Sequence, residues 1–295
     1  MKSFRWPPPP DGGPRTWGPT PKAPRTGRPT LPAPPTEIIG TPSGVRLEQL
    51  VSGVGDPVTV FAHGLAGDIT STRPFGSAVA GRRVFFHFRG HGRSDSPPGP
   101  WGFADLAADL RAVADRGHAT RAVGVSMGAG ALCRLLAETP DRFERVVLYL
   151  PAPLDGVRPP LAAARLERLL TAVQSGEAAA VAEAVEAELP PSVRNTPAGW
   201  SYLRQRVEQL QRDGLAAQLD TLWRAPAVPD DELLTLVTAK VLVIGCVGDE
   251  VHPVAVAERL AGLMPHADLH VYDRPAMLWH SRKELRERIS TFLNG

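Results

Sequence analysis

Gly124-Val125-Ser126-Met127-Gly128 is the stretch on which the reading of this chain turns. It follows the apolar pair Ala122-Val123 and opens a run of small, helix-compatible residues over 129–137. A G-x-S-x-G between a strand and a helix makes a very sharp turn, with the serine held in a strained conformation and its hydroxyl thrust outward. The flanking positions must be small, because a Cβ at Gly124 or Gly128 would crowd neighbouring backbone. Gly and Ser are common in loops; it is the placement after a strand and before a helix that gives the pattern meaning.

Working outward, three more segments fall in the order that serine chemistry needs. Residues 57–62 read as a buried strand ending in His63-Gly64-Leu65-Ala66-Gly67. Residues 241–245 read as another, leading into Gly248-Asp249-Glu250-Val251-His252-Pro253. Near the C-terminus His280 precedes an amphipathic helix. Serine, acid and histidine thus come in the chain order Ser, Asp, His, unlike the two best-known protease orders.

With Arg89-Gly90-His91-Gly92-Arg93-Ser94 after a further strand, and Gly245-x-x-x-Asp249-x-x-x-Pro253, these segments make the chain resemble the α/β-hydrolase superfamily over about residues 41–295. It looks like the small bacterial esterase, lactonase and perhydrolase-like branch with a helical lid. The resemblance implies that Ser126 is the nucleophile and that His280, after the last strand and before the last helix, is its base. Asp249 would fix the tautomer of that imidazole, with Glu250 and Asp155 as the competing acids. The backbone N–H groups of Leu65 and Met127 would form the oxyanion hole. Two departures stand out: relatives usually have Gly before the histidine, where this chain has Trp279, and often Asp two residues before the Arg, where it has His87. His63 is expected to brace its loop rather than react, and Arg89 to Gly92 to form a scaffold beneath the site.

The rest of the chain fits an α/β fold with a mostly parallel sheet covered by helices on both faces. Strands are expected at 45–51, 58–62, 84–88, 121–125, 145–150, 240–245 and 268–272. Helices are expected at 101–116, 254–263 and 282–293. Between 151 and 238 the alternation stops. Apolar stripes at Leu166, Leu169, Leu170 and Val173, at Val181, Val185 and Leu189, and at Leu203, Val207 and Leu210 mark helices separated by prolines. This block, 151–238, reads as a lid inserted into a core of 37–150 and 239–295. Residues 1–36, rich in Pro, Gly, Thr and Arg, read as a flexible tail unable to bury enough apolar surface to offset its ordering.

Composition narrows the function. A formal charge of +2 over 295 residues gives no ground for a nucleic-acid or membrane-surface partner. The N-terminus has no apolar stretch of the kind a secretory signal carries, and nothing is apolar enough to cross a bilayer, so a cytoplasmic location is expected. The two cysteines, Cys133 and Cys246, read as small core residues, and no spacing suggests a metal. The expectation is a cofactor-free, metal-free serine hydrolase acting on a small-molecule carboxylic ester or related acyl bond. The alternatives are a ligand-binding or adaptor protein on the same fold with little turnover, or a non-hydrolytic lyase or cyclase.

Overall fold

The computed structural model describes residues 35–212 and 215–295. The expected tail, 1–36, lies outside the described residues except for its last two positions. Eight strands form one sheet: β1 (Glu37–Gly40), β2 (Arg46–Ser52), β3 (Val58–Ala62), β4 (Arg82–Phe86), β5 (Arg121–Val125), β6 (Arg145–Tyr149), β7 (Lys240–Cys246) and β8 (Ala267–Tyr272). Their spatial order is β1-β2-β4-β3-β5-β6-β7-β8. β2 pairs antiparallel with both β1 and β4, and every other pairing is parallel.

The interior strands are near-continuous apolar runs because both faces are covered. All five residues of β3, Val-Thr-Val-Phe-Ala, are buried. Val58, Val60 and Ala62 enter the core on one face, with Val146, Leu148, Val241 and Val243. Phe61 enters the other, with Val123, Val147, Leu242 and Ile244. Successive side chains along a strand point to opposite faces, so one sequence run supplies two cores.

The helices follow in chain order. After β3 come the single turn α1 (Ile69–Thr72) and a 3-10 turn, Arg73–Gly76. α2 (Phe103–Gly117) and α3 (Met127–Glu138) cover one face through Leu106, Leu110, Leu132 and Leu136. Between β6 and β7 lie α4 (Pro160–Gln174), α5 (Ala178–Glu186), α6 (Pro191–Arg194), α7 (Pro197–Leu210) and α8 (Leu215–Arg224). The three apolar stripes fall on α4, on α5 with the turn after it, and on α7. α6 and α8 are additions to the sequence reading; α6 buries no residue, which leaves it no apolar stripe to read. α9 (Val254–Leu263) follows β7, and α10 (Met277–His280) and α11 (Arg282–Asn294) follow β8. α11 lays Leu285, Ile289 and Leu293 on the second face. β4 stops at Phe86, two residues before the expected end, because His87 and the residues after it turn into the Arg89–Ser94 loop.

Parallel pairing puts the carboxyl ends of β3, β5 and β7 on one edge of the sheet. Ligand sites in open α/β sheets lie outside that edge. Here the edge gathers the 63–68 loop, Ser126 and the 247–253 loop.

Candidate active site

Ser126 joins β5 to α3 with φ 51° and ψ −110°. A non-glycine residue in this region costs about 1–3 kcal/mol and persists only when its surroundings impose it. The surroundings do impose it. The Ser126 N–H donates to the Tyr149 carbonyl at 3.0 Å, tying the turn to β6. A Cβ at Gly124 would come within 2.7 Å of Ala129 backbone, and one at Gly128 within 2.4 Å of the Ala62 carbonyl oxygen. Both glycines are there for close approach, as the sequence reading required.

At the imidazole, sequence and structure part. The imidazole against Ser126 belongs to His252, not to His280. Ser126 Oγ–H donates to His252 Nε2 at 2.8 Å. His252 Nδ1–H lies 3.2 Å from both carboxylate oxygens of Asp249. The local cause is a turn three residues long. Asp249 Oδ1 accepts the N–H groups of Val251 at 3.0 Å and His252 at 2.9 Å, folding the chain back over its own carboxylate. Pro253 then caps α9. The carboxylate and the imidazole are about one-fifth exposed, at 19% and 18%. Burial alone would raise the Asp249 pKa; the hydrogen bond and charge of His252, with the two backbone donors, bring it below the ordinary carboxylate value.

His280 sits at the end of α10 and is exposed. Ala276, at φ 67°, turns the chain after β8 so that Met277 enters the second core. Trp279 then packs edge-on against Tyr202 of α7, ring centroids 5.6 Å apart. With those two side chains committed, the next one faces solvent. The competing acids are also engaged elsewhere. Asp155 pairs with Arg259 at 3.0 Å, and Glu250 with Arg165 at 3.6 Å.

The 63–67 loop lies directly against the serine, since a Cβ at Gly64 would sit 3.4 Å from Ser126 Cβ. The N–H groups of Leu65 and Met127 meet no acceptor among the described residues. Three buried histidines hold this loop from behind. His63 Nε2 accepts the Phe88 N–H at 3.1 Å, so its proton is on Nδ1, which donates to the Gly64 carbonyl at 2.8 Å. His91 Nε2 accepts the Ala66 N–H at 3.0 Å, and its Nδ1–H donates to the Arg89 carbonyl at 3.0 Å. His87 Nε2 accepts the Ile69 N–H at 3.1 Å, and its Nδ1–H donates to Glu48 at 2.8 Å. Where relatives often have an aspartate, this chain thus has an imidazole whose carboxylate partner comes from β2. Desolvation lowers the pKa of all three, His63 well below its ordinary value and His91 to about 4. Below them, Arg89 is gripped by Asp109 at 2.8 and 2.9 Å and by Asp105 at 2.8 Å.

Both cysteines are free and buried. Burial pushes the Cys133 thiol up to about 12 and Cys246 to about 11, so neither offers a thiolate nucleophile near neutral pH. Among the described residues no group of three or more His, Cys, Asp or Glu is arranged to hold a metal, and no helix is long and apolar enough to cross a membrane.

Residues 59–284 match the alpha/beta hydrolase family. This chain belongs to that family. Among solved structures, this α/β hydrolase is similar to an enol-lactonase from Burkholderia xenovorans LB400, with TM-score 0.74 and 22% identity over 88% of this chain and 100% of the other. An esterase from Exiguobacterium antarcticum aligns with TM-score 0.74 and 16% identity, over 88% and 99% of the two chains. A bromoperoxidase from Bacillus anthracis aligns with TM-score 0.75 and 18% identity, over 88% and 100%. At these identities the likeness is one of fold. No curated protein matches the chain in sequence.

Proposed function

We propose that this α/β hydrolase is a serine hydrolase of carboxylic esters or related acyl bonds, working through Ser126, His252 and Asp249. The observation that carries the reading is the 2.8 Å hydrogen bond from Ser126 Oγ to His252 Nε2. A serine hydroxyl is a weak nucleophile until a base within hydrogen-bond reach takes its proton. In this reading Ser126 Oγ attacks the substrate carbonyl carbon while His252 Nε2 accepts the hydroxyl proton. The tetrahedral oxyanion is stabilised by the N–H groups of Leu65 and Met127, the latter at the N-terminus of α3, where the helix dipole adds positive potential. Collapse expels the alcohol, which takes the proton from the imidazolium, and leaves an acyl ester on Ser126. Water, deprotonated by His252, then attacks the acyl carbonyl; the acid departs and the proton returns to Ser126.

Asp249 holds the proton on His252 Nδ1, so that Nε2 is free to accept, and balances the imidazolium as it forms. No step calls for a cofactor or metal. The helical block between β6 and β7 acts as a lid that shapes the acyl pocket, and the substrate is a small molecule met in the cytoplasm. The test is acyl-enzyme chemistry at one residue. A fluorophosphonate probe should label the wild-type protein at Ser126, and Ser126→Ala should remain folded, unlabelled and inactive on p-nitrophenyl esters. Labelling or ester hydrolysis that survives in folded Ser126→Ala would remove the nucleophile from the proposal.

A further inference from the structure

The peptide joining Leu65 to Ala66 is gripped at both ends. Its N–H, on Ala66, donates to His91 Nε2 at 3.0 Å. Its carbonyl, on Leu65, accepts from Arg206 Nη1, which reaches in from α7. The preceding peptide, Gly64–Leu65, carries the N–H assigned above to the oxyanion. Its carbonyl accepts from His63 Nδ1 and from the Gly67 N–H, both at 2.8 Å. Two adjacent peptide planes meet at the Leu65 Cα, so the aim of the Leu65 N–H is set by what holds each of them. Ala66, at φ 49°, is itself in the left-handed region, so the loop needs such holding. Of these holders, Arg206 alone comes from the helical block; the others belong to the core.

Arg206 is not free to wander. Its side chain is 17% exposed and pairs with Glu188 at 3.2 Å. Glu188 in turn accepts the Tyr202 hydroxyl at 2.8 Å. Burial works against the guanidinium charge, but Glu188 together with Tyr202 more than offsets it, so Arg206 stays a cation and a five-donor fork. Other contacts seat α7 without touching this peptide. Gln205 Nε2 donates to Asp68 and, at 2.9 Å, to Thr70 Oγ1, and Tyr202 meets Trp279 edge-on.

We propose that Arg206 is a positioning residue, coupling the seating of the helical block to the geometry of the oxyanion hole. With α7 docked, the guanidinium pins the Leu65 carbonyl and His91 pins the Ala66 N–H. The Leu65 N–H is then held toward the point where the oxyanion forms. The inference rests on the proposed serine-hydrolase reading and on Leu65 as one donor.

The test separates positioning from mere packing. On p-nitrophenyl acetate, Arg206→Gln is expected to lower kcat by about 10- to 100-fold, less than the ~100- to 1000-fold typical of losing a donor outright, with KM within about threefold. The inhibition constant of a trifluoromethyl ketone, whose serine adduct carries the same oxyanion, should rise in step with the fall in kcat. Arg206→Lys should recover part of both. Gln205→Ala, which removes a neighbouring α7 contact but leaves Arg206 on the Leu65 carbonyl, should stay within about threefold of wild type. A folded Arg206→Gln protein with wild-type kcat and inhibitor affinity overturns the proposal, and so does an equal loss in Gln205→Ala. If Glu188 left unpaired prevents folding, the double variant Arg206→Gln/Glu188→Gln removes both charges together, and wild-type kcat there also overturns it. A wild-type protein that neither hydrolyses esters nor takes the fluorophosphonate would instead sink the underlying reading, and this inference with it.

Discussion

At the scale of single residues, the proposed triad depends on a loop of unusual economy. Asp249 and His252 are three positions apart, and the histidine links the carboxylate to Ser126, which lies 126 residues upstream of it. The same Asp249 oxygen that accepts the backbone N–H groups of Val251 and His252 faces the imidazole. Asn is therefore the informative substitution. It keeps an oxygen that can cap the turn, but it removes the charge and can present an N–H donor to Nδ1, favouring the wrong tautomer. By analogy with the same change in a serine protease, Asp249→Asn should cut kcat by about 10,000-fold with little change in melting temperature. Activity within about tenfold of wild type would show that the carboxylate neither orients nor balances His252. This pair also marks where sequence reading stopped short. Asp249 draws attention in the sequence because it follows a buried strand at a recognisable spacing from Gly245 and Pro253, although the structure sets it against His252 and not His280. His252 lies inside the same quoted segment but looks like loop filler, since the back-folding that aims it is made by hydrogen bonds that leave no periodic trace. Nor did spacing reveal that Met277 and Trp279 occupy the turn expected to deliver His280.

At the scale of elements, the loop from Gly64 to Ile69 is held by imidazoles in one protonation state. Each of the three accepts a backbone N–H through Nε2, and a second proton there would set two donors against each other. The folded pKa values are depressed below the ordinary value of about 6.5, so in acid the unfolded chain takes up protons that the folded state refuses. The stabilisation from these neutral histidines is complete above about pH 6.5 and is lost progressively as the pH falls toward about 4, where His91 titrates in the folded state. The titratable groups facing them are Glu48, Asp68, Arg206 and Arg212. Glu48 and Asp68 favour the charged form of His87, whereas the arginines oppose charging. Melting temperature should therefore fall between about pH 6.5 and 4, with a proton uptake on unfolding of more than one over this range. A His91→Gln/His87→Gln double variant should show a shallower fall. An identical slope in wild type and double variant would mean that these rings do not control the acid response. The elements themselves were largely legible: buried runs gave the central strands, and apolar stripes gave α4, α5 and α7. The polar joints between elements were not, because Glu188, in the turn after α5, meets Tyr202 and Arg206 of α7 only in space.

At the scale of the whole molecule, the parallel sheet brings three loop ends to one edge, and in the proposed reading the helical block roofs that edge. Ser126 comes from the end of β5, the 63–68 loop from the end of β3, and both Asp249 and His252 from the end of β7. The end of β8, where the resemblance led the sequence reading to seek the base, contributes Trp279 to the roof instead. The imidazole against Ser126 therefore arrives after β7. The most direct measurement is kcat on p-nitrophenyl acetate, with fluorophosphonate labelling rate, for His252→Gln and His280→Gln side by side. His252→Gln should lose about 10,000-fold or more in both, as expected when the base of a serine triad is removed, while His280→Gln should stay within about twofold of wild type. A nearly silent His252→Gln beside an inactive, folded His280→Gln would contradict the proposed role of His252.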